Sequence, residues 1–416
     1  MLTPESAAVV RATLPVIGGA IGDITPVFYR RMFAAHPELE RDLFNRGNQA
    51  RGDQQRALAG AIAAYATLLV DDGPDPRTVL ARIAHKHASL GILPEQYPTV
   101  HEHLFAAIVE VLGEAVTPEV AAAWDEVYWD MADALVEIEL GLYAETGVAP
   151  GDVWRTVTVS RRSQESPDTI SLELVAPDGS ALPAARPGQY VSVAVHLPDG
   201  TRQIRQYSLT GGGEPGAWAI SVKAILAGAG PAGLAPAGEV SNHLHANAFE
   251  GDGLEVSAPF GELTLVEGEN PLVLVSAGIG ITPMIGFLHH LRDAGTPRRV
   301  VVLHADRSPA RHAHRAELRE LVDAIPTAEL HRWYEDLGAR PTQDRLRSGY
   351  LDLDGVDVPH DADAYLCGPA PFMTLVQSAL LGRGVTADRI HHEVFGPGQE
   401  IGQEIGQEIG QETAAA

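Results

Sequence analysis

Lysine is nearly absent from this 416-residue chain. Of thirty basic residues two are lysines, Lys86 and Lys223, and the other twenty-eight are arginines. Cysteine occurs once, at Cys367. One thiol cannot close an internal disulfide or supply a Cys-based zinc or iron–sulfur site, and it fits a reducing compartment. No basic block interrupts a net charge of −25, which excludes the clustered positive charge needed to bind nucleic acid or an anionic membrane. Long apolar runs are also missing. The longest uncharged stretch, Leu272–Leu288, is broken by three glycines and Pro283, so it reads as strand, turn and helix start rather than a membrane span. Glu5 precedes the first apolar stretch and no basic residue does, unlike a secretory signal.

The chain exceeds one ordinary domain, and 45% hydrophobic residues rule out wholesale disorder. Residues 1–147 read as helices only. Asp53–Leu69 and Arg77–Leu90 carry apolar residues at helical spacing, and Thr117-Pro118-Glu119 opens a helix with Trp124, Tyr128, Met131, Leu135, Glu139 and Leu142 on one face. Residues 151–262 switch to alternating strand patterns with frequent Gly and Pro, expected for a small antiparallel β-barrel with a loop at Ala227–Gly238. Residues 263–397 alternate short apolar strands (Leu272–Ser276, Val300–His304, Leu330–Tyr334, Ala364–Cys367) with helical stretches, expected for a parallel α/β sheet. Residues 398–416 repeat GQEI without hydrophobic mass to bury and are expected to be disordered.

Four histidines of the helical third compete as ligands: His85, His87, His101 and His103. His87 extends the apolar stripe of its helix and His85 points away. Taken alone, a core histidine more often satisfies a buried hydrogen bond than ligates a metal. Glu139, on the apolar stripe of the last helix, shifts the balance, because a core-facing carboxylate is costly unless paired. A histidine bound to iron through one nitrogen commonly donates its other N–H to such an acceptor. A buried His–Glu pair without metal is the alternative.

The stretches FYRRMFAAHPELERDLFN, NQARGDQQRALAGAIAAYA and IAHKHASLGILPEQY, with the segment around Glu139, resemble the globin domain of the flavohaemoglobins. That resemblance implies His87 as the proximal ligand of one haem b, hydrogen-bonded with Tyr97 and Glu139. It places Tyr29 and Gln54 over the distal face, Leu58 against the bound gas and Phe44 against the haem. A tyrosine hydroxyl suits a gas ligand that gains negative charge.

Further along, Arg186–Tyr190 (RPGQY, with Tyr190), Arg205-Gln206-Tyr207-Ser208, GEVSNHLH with Val240 and Ser241, and APFGEL resemble in order the FAD-binding motifs of the ferredoxin-reductase family. Arginine can pair with pyrophosphate, tyrosine can stack on the flavin edge, and serine can bond to the ring. The run Gly278-Ile279-Gly280-Ile281-Thr282-Pro283 follows a strand, where glycines admit a pyrophosphate to a helix start. It lacks the third glycine of the usual dinucleotide fingerprint but is similar to the nucleotide site of the same reductases. Cys367-Gly368-Pro369 would lie near the nicotinamide. In HHEVFGPG, Phe395 would cover the flavin, with Val394, Gly396 and Pro397 beside it.

The order globin, FAD domain, NAD(P) domain resembles flavohaemoglobin over residues 1–397. It implies nitric oxide dioxygenation, with electrons passing from NAD(P)H through one FAD to haem iron and nitrate formed from O2 and nitric oxide, in a cytoplasmic monomer. Lys86 is placed at the haem–flavin junction with Glu393. After Val300–His304 come Ala305-Asp306-Arg307, where the acid argues for NADH and the arginine could accept a 2′-phosphate, and the reading leans to NADH. The competing expectations are an O2- or nitric-oxide-binding sensor whose reductase keeps iron ferrous, and a flavin or peroxide reductase.

Overall fold

A computed structural model describes residues 2–71, 75–230 and 233–395. Helices α1 (Pro4–Ala35), α2 (Pro37–Asp42), α3 (Arg46–Ala50), α4 (Asp53–Val70), α5 (Ala81–Leu90), α6 (Tyr97–Leu112) and α7 (Pro118–Thr146) come first. Strands β1 (Trp154–Ser166), β2 (Thr169–Val175), β3 (Tyr190–His196), β4 (Arg202–Ser208), β5 (Trp218–Lys223), β6 (Gly228–Gly230) and β7 (Gly233–Ala235) follow, then α8 (Glu239–Asn247) and β8 (Gly253–Ser257). The last third holds β9 (Leu272–Ala277), α9 (Ile281–Asp293), β10 (Val300–Asp306), α10 (Arg315–Ala324), β11 (Ala328–Tyr334), β12 (Leu346–Ser348), β13 (Asp363–Cys367), α11 (Ala370–Leu381) and β14 (Ile390–Glu393).

The chain forms two compact units. The first comprises residues 1–155, 191–206 and 255–262. In it α1 packs on α4, α6 and α7, and α5 packs on α7. Its core joins Val10, Ile24, Phe28, Tyr65, Leu104 and Leu135. Thr117 caps α7 by accepting from the Val120 amide, as its sequence position suggests. The stretch Arg77–Leu90 is not one helix: a 3₁₀ turn over Pro76–Val79 precedes α5, because Pro76 starts a turn capped by Asp75. Helix α1 is long and apolar enough to cross a membrane by length and composition, although its stripe Val10, Ile17, Ile24 and Phe28 is buried in the helical core. Strands β3 and β8 pair antiparallel in this unit, Val193 opposite Val256.

The second unit comprises residues 156–190, 207–254 and 263–416. Strand β2 pairs antiparallel with β1 and β5, and the stretch expected as a loop before Gly238 contains the short antiparallel pair β6–β7. The C-terminal sheet is parallel, in the order β12-β11-β10-β9-β13-β14. Its pleat divides the core: Leu272, Leu274, Val300 and Val302 pack with α9 and α10, whereas Val273, Val275, Val301 and Leu303 pack with α11. Burial on both faces explains why these strands read as continuous apolar runs.

A histidine–carboxylate chain ties α10 into the second unit. Ser221 Oγ lies 2.7 Å from His314 Nε2, His314 Nδ1 lies 2.6 Å from Glu317 Oε2, and Glu317 Oε1 lies 2.7 Å from His289 Nε2. Burial pushes the Glu317 carboxyl up, but hydrogen bonds from His289 and His314 outweigh it and bring it down to about 2. A depressed carboxylate stabilises the fold fully above its ordinary value of 4.5, and that contribution is lost as pH falls toward about 2. Glu317→Gln is therefore expected to lower the melting temperature at pH 7 and to flatten its decline across that acid window. Parallel melting curves for variant and wild type across the window would show that the network does not act this way.

Candidate functional site

In the first unit, α5 and α7 bring His87 and Glu139 together. His87 Nδ1 is 2.8 Å from Glu139 Oε1 and 3.2 Å from the Tyr97 hydroxyl. The Tyr97 hydroxyl donates to the same Glu139 oxygen at 2.6 Å. The carboxylate is only 2% exposed, so its charge depends on these two donors. Burial first, and the Glu139 charge second, push the Tyr97 hydroxyl far above its ordinary range, so it stays protonated. With Nδ1–H donating to Glu139, the lone pair of His87 is on Nε2. The His87 side chain is 31% exposed against 2% for Glu139. A ligating histidine fixed by a buried carboxylate fits a haem iron.

The turn after His87 is fixed by Gly91, which ends α5 at φ 79° and lets the Ile92 amide reach the His87 carbonyl. His85 points elsewhere, as its position predicts: its Nδ1 accepts from the Gly261 amide at 3.0 Å. His101 pairs with Asp125 and stacks on Phe105 and Trp129, and His103 is buried, its ring edge-on to His36.

Tyr29 and Gln54 meet by a side-chain hydrogen bond. Burial raises the Tyr29 hydroxyl above its ordinary value, only partly offset by Gln54, so it remains a donor. Phe44 packs edge-on to Tyr29 at 5.8 Å, and Leu58 packs against the same core one turn along α4 from Gln54.

Lys86 turns away from His87 and gives a second cluster in this unit. Its ammonium donates to the Gln206 carbonyl oxygen. The Gln206 amide donates to Ser192 Oγ at 2.9 Å, and Ser192 donates to Ser89 at 3.0 Å. Arg205 donates to Asn45 Oδ1 at 2.8 Å and to the Ile204 carbonyl. Burial, then the charges of Arg205 and Arg82, bring the Lys86 ammonium down to about 7.

The second unit holds the remaining positions. Tyr190 is buried at the start of β3, and Tyr207 and Ser208 end β4. Ser208 Oγ is buried without a hydrogen-bond partner, which fits a polar group of a bound flavin. Val240 and Ser241 occupy the first turn of α8, with Ser241 Oγ accepting from the Ile225 amide at 3.3 Å. A Cβ on Gly238 would come within 2.7 Å of that oxygen, so a larger residue there would displace the Ser241 hydroxyl.

Gly278, Ile279 and Gly280 form a 3₁₀ turn between β9 and α9, with Thr282 donating back to the Ile279 carbonyl at 3.1 Å. Ile281, Thr282 and Pro283 are buried in the first turn of α9. A Cβ at Gly280 would lie 2.2 Å from the Cys367 carbonyl oxygen, so glycine brings the β9 turn against the Cys367-Gly368-Pro369 turn after β13. This is where strand order reverses, the usual place for a nucleotide in such sheets. Cys367 is fully buried, and burial, with the Glu393 charge second, holds its thiol protonated. Glu393 ends β14 opposite Cys367 in register. Val394 packs partly into the apolar core, and Phe395 is 45% exposed, so it can cover a planar ligand. Gly396 and Pro397 lie outside the described residues, as does the GQEI repeat.

Two features were not legible from the motifs. Lys223 Nζ would lie 3.9 Å from a Cβ at Gly278, placing the second lysine beside the glycine turn. Asp306, the acid expected for a ribose, is buried and accepts from its own neighbour's amide, Arg307 N–H, at 2.6 Å. The exposed acids at the same carboxyl end of the sheet are Glu335 and Asp336, whose amides bond to the carbonyls of Asp306 and Arg307. Strand register brings them there, and no motif marks them.

The chain matches the globin family over residues 27–135, the oxidoreductase FAD-binding domain over 156–265 and the oxidoreductase NAD-binding domain over 274–378. It is similar to the flavohemoprotein of Chromobacterium violaceum, 44% identical over 412 residues that cover 96% of this chain and 100% of that one. It is also similar to the flavohemoprotein of Bordetella pertussis, 45% identical over 409 residues, 96% of this chain and 99% of that one. Among solved structures, flavohemoglobin from Malassezia yamatoensis with bound FAD and heme aligns with a TM-score of 0.84 at 35% identity, covering 95% of this chain and 100% of that one.

Two substitutions test the geometry. Gly280→Ala should destabilise the second unit by about 1–3 kcal/mol through overpacking, read as a lower urea midpoint. Glu139→Gln should lower the iron–histidine stretching frequency of the ferrous haem protein, because an amide accepts less strongly from Nδ1–H. An unchanged frequency would mean that the carboxylate does not tune His87.

Proposed function

The chain belongs to the flavohaemoprotein family, and from that premise we propose that it is an NAD(P)H-dependent nitric oxide dioxygenase that removes nitric oxide as nitrate. The observation that carries the reading is the His87–Glu139–Tyr97 triad, a histidine made electron-rich by a buried carboxylate in the same chain as flavin and nicotinamide domains. When bound, haem supplies the oxygen-activating iron, FAD splits a two-electron hydride into single electrons, and the nicotinamide supplies that hydride. Per NAD(P)H, two nitric oxide and two dioxygen molecules give two nitrate ions, NAD(P)+ and a proton.

The residues divide the work. His87 would hold the iron through Nε2, with Glu139 and Tyr97 fixing its ring. Tyr29, kept protonated by burial, would offer its hydroxyl to the bound gas, with Gln54 as partner. Leu58 and Phe44 keep water from that side. Ser208 and Tyr207, with Tyr190, Arg205 and Gln206, orient the flavin, and Val240 and Ser241 open the helix that receives its phosphates. Gly278 to Pro283 admit the nucleotide pyrophosphate, and Lys223 adds a positive charge beside it. Cys367 to Pro369 and Phe395 flank the nicotinamide. Glu335 and Asp336 repel a 2′-phosphate, which favours NADH over NADPH. A monomer in the cytoplasm completes the reading.

Purified enzyme should consume nitric oxide only when NADH and oxygen are both present, with nitrate as product. His87→Ala should abolish that loss while leaving NADH-driven reduction of an artificial dye within about twofold of wild type. Nitric oxide removal that survives the substitution would refute the haem route. Tight gas retention without turnover would instead favour a sensor.

A further inference from the structure

Within the second unit, the stretch matched by FAD-binding domains (156–265) meets the stretch matched by NAD-binding domains (274–378) along a buried seam. Helix α9 lies close against the flavin side. A Cβ at Gly286 would come within 2.7 Å of the Leu209 carbonyl oxygen, one at Gly188 within 2.6 Å of the Phe287 ring, and one at Gly212 would strike the His289 ring. The loop of residues 209–212 leaves directly from Tyr207 and Ser208, and α9 starts from the glycine turn of residues 278–280. The seam therefore sets how the nucleotide turn stands relative to the flavin strand.

Polar groups cross the same seam as one connected chain. The Ser171 and Ser221 hydroxyls, on β2 and β5, are 2.8 Å apart. Glu317, a carboxylate, can only accept, so His314 Nδ1 and His289 Nε2 both donate to it, and His314 Nε2 accepts from Ser221. The His314 amide donates to Glu165 at 3.3 Å, and Arg311 pairs with Asp168 at 2.8 Å. Serine, histidine and acid in that order also make a hydrolytic triad. Here Ser221 and His314 are each 4% exposed, so no substrate reaches the hydroxyl.

His314 carries a second mark. Its φ is 57°, the one positive value on a residue other than glycine among the described residues. L side chains rarely adopt that conformation, and it persists where the surroundings over-determine it. The backbone turns there so that the ring reaches Ser221 while its amide faces Glu165.

We propose that His314 is a positioning residue for hydride transfer, which with Glu317 clamps the nicotinamide-binding stretch onto β5 of the flavin-binding stretch. The step it serves is NADH and FAD becoming NAD+ and FADH−, in which a hydrogen moves with two electrons and tolerates little misplacement. The inference rests on the hydride step of the reading above and not on nitric oxide as substrate.

Two variants of the holoenzyme test it. Ser221→Ala removes the partner on the flavin side. His314→Asn keeps a residue that tolerates positive φ but is too short to span the seam. In anaerobic stopped flow at saturating NADH, flavin reduction should slow several-fold in the first and about tenfold in the second, with the apparent NADH dissociation constant within about twofold of wild type. The charge-transfer absorbance of NAD+ on reduced flavin should weaken in parallel, and deuterium exchange should rise at the amides of residues 209–212. Electron transfer from photoreduced flavin to haem should keep its wild-type rate. The double variant should be no slower than His314→Asn, because both substitutions break one chain. Unchanged flavin reduction in Ser221→Ala would overturn the proposal, as would effects of the two substitutions that multiply, or slowing that only tracks loss of FAD. Ser221→Ala deletes one hydroxyl and leaves the backbone alone, so the test stands if His314→Asn does not fold. No readout involves nitric oxide, so failure of the dioxygenase reading would be seen separately, as absence of nitrate.

Discussion

A carboxylate in an apolar helical core organises the first unit. Glu139 cannot hold its charge at 2% exposure without donors, and it has two, the His87 ring N–H and the Tyr97 hydroxyl. Removing one partner of such a buried pair typically costs about 3–5 kcal/mol, so each member holds the other two in place. The consequence reaches outward. Tyr97 is anchored through its own carbonyl by Tyr128, and the carbonyl of His87 is taken up by the turn at Gly91. The ring of His87 is thus fixed from its side chain and from its backbone. A ligand held that firmly presents Nε2 in one direction, which is what an iron site requires.

The second unit solves a different problem with glycine. A pyrophosphate needs backbone within reach, and two strand-end turns must approach each other to form the crevice. Gly280 permits that because any Cβ there would strike the Cys367 carbonyl. Lys223 stands beside Gly278 in that turn. The scarcity of lysine gains meaning from these placements. One lysine is buried with Gln206 as its acceptor, and the other flanks the glycine turn between β9 and α9.

Sequence reasoning reached the helix starts at Thr117 and Asp53, the antiparallel-then-parallel order of the sheets and the pairing of His87 with Glu139. These were legible because each is a local pattern or a cost that demands a partner. It did not reach the break before α5, the β6–β7 pair or the edge strands β12 and β14, which are three or four residues long and carry too little periodicity. Asp306 shows a different limit. Its place after a strand suggests a ribose contact, yet its carboxylate folds back onto the following amide. Side-chain direction within a turn is settled by local hydrogen bonds that residue type does not reveal.

The order of the three domains and the pairing of a core-facing histidine with a carboxylate were determined by the sequence alone, because periodicity, turn chemistry and desolvation cost act over short spans. Tertiary structure alone decided which groups meet from distant segments: Lys86 with Gln206, Lys223 with Gly278, and Glu317 with two histidines. Those meetings depend on how helices and strands pack. Packing is set by the sum of many weak contacts, and no single stretch of residues records it.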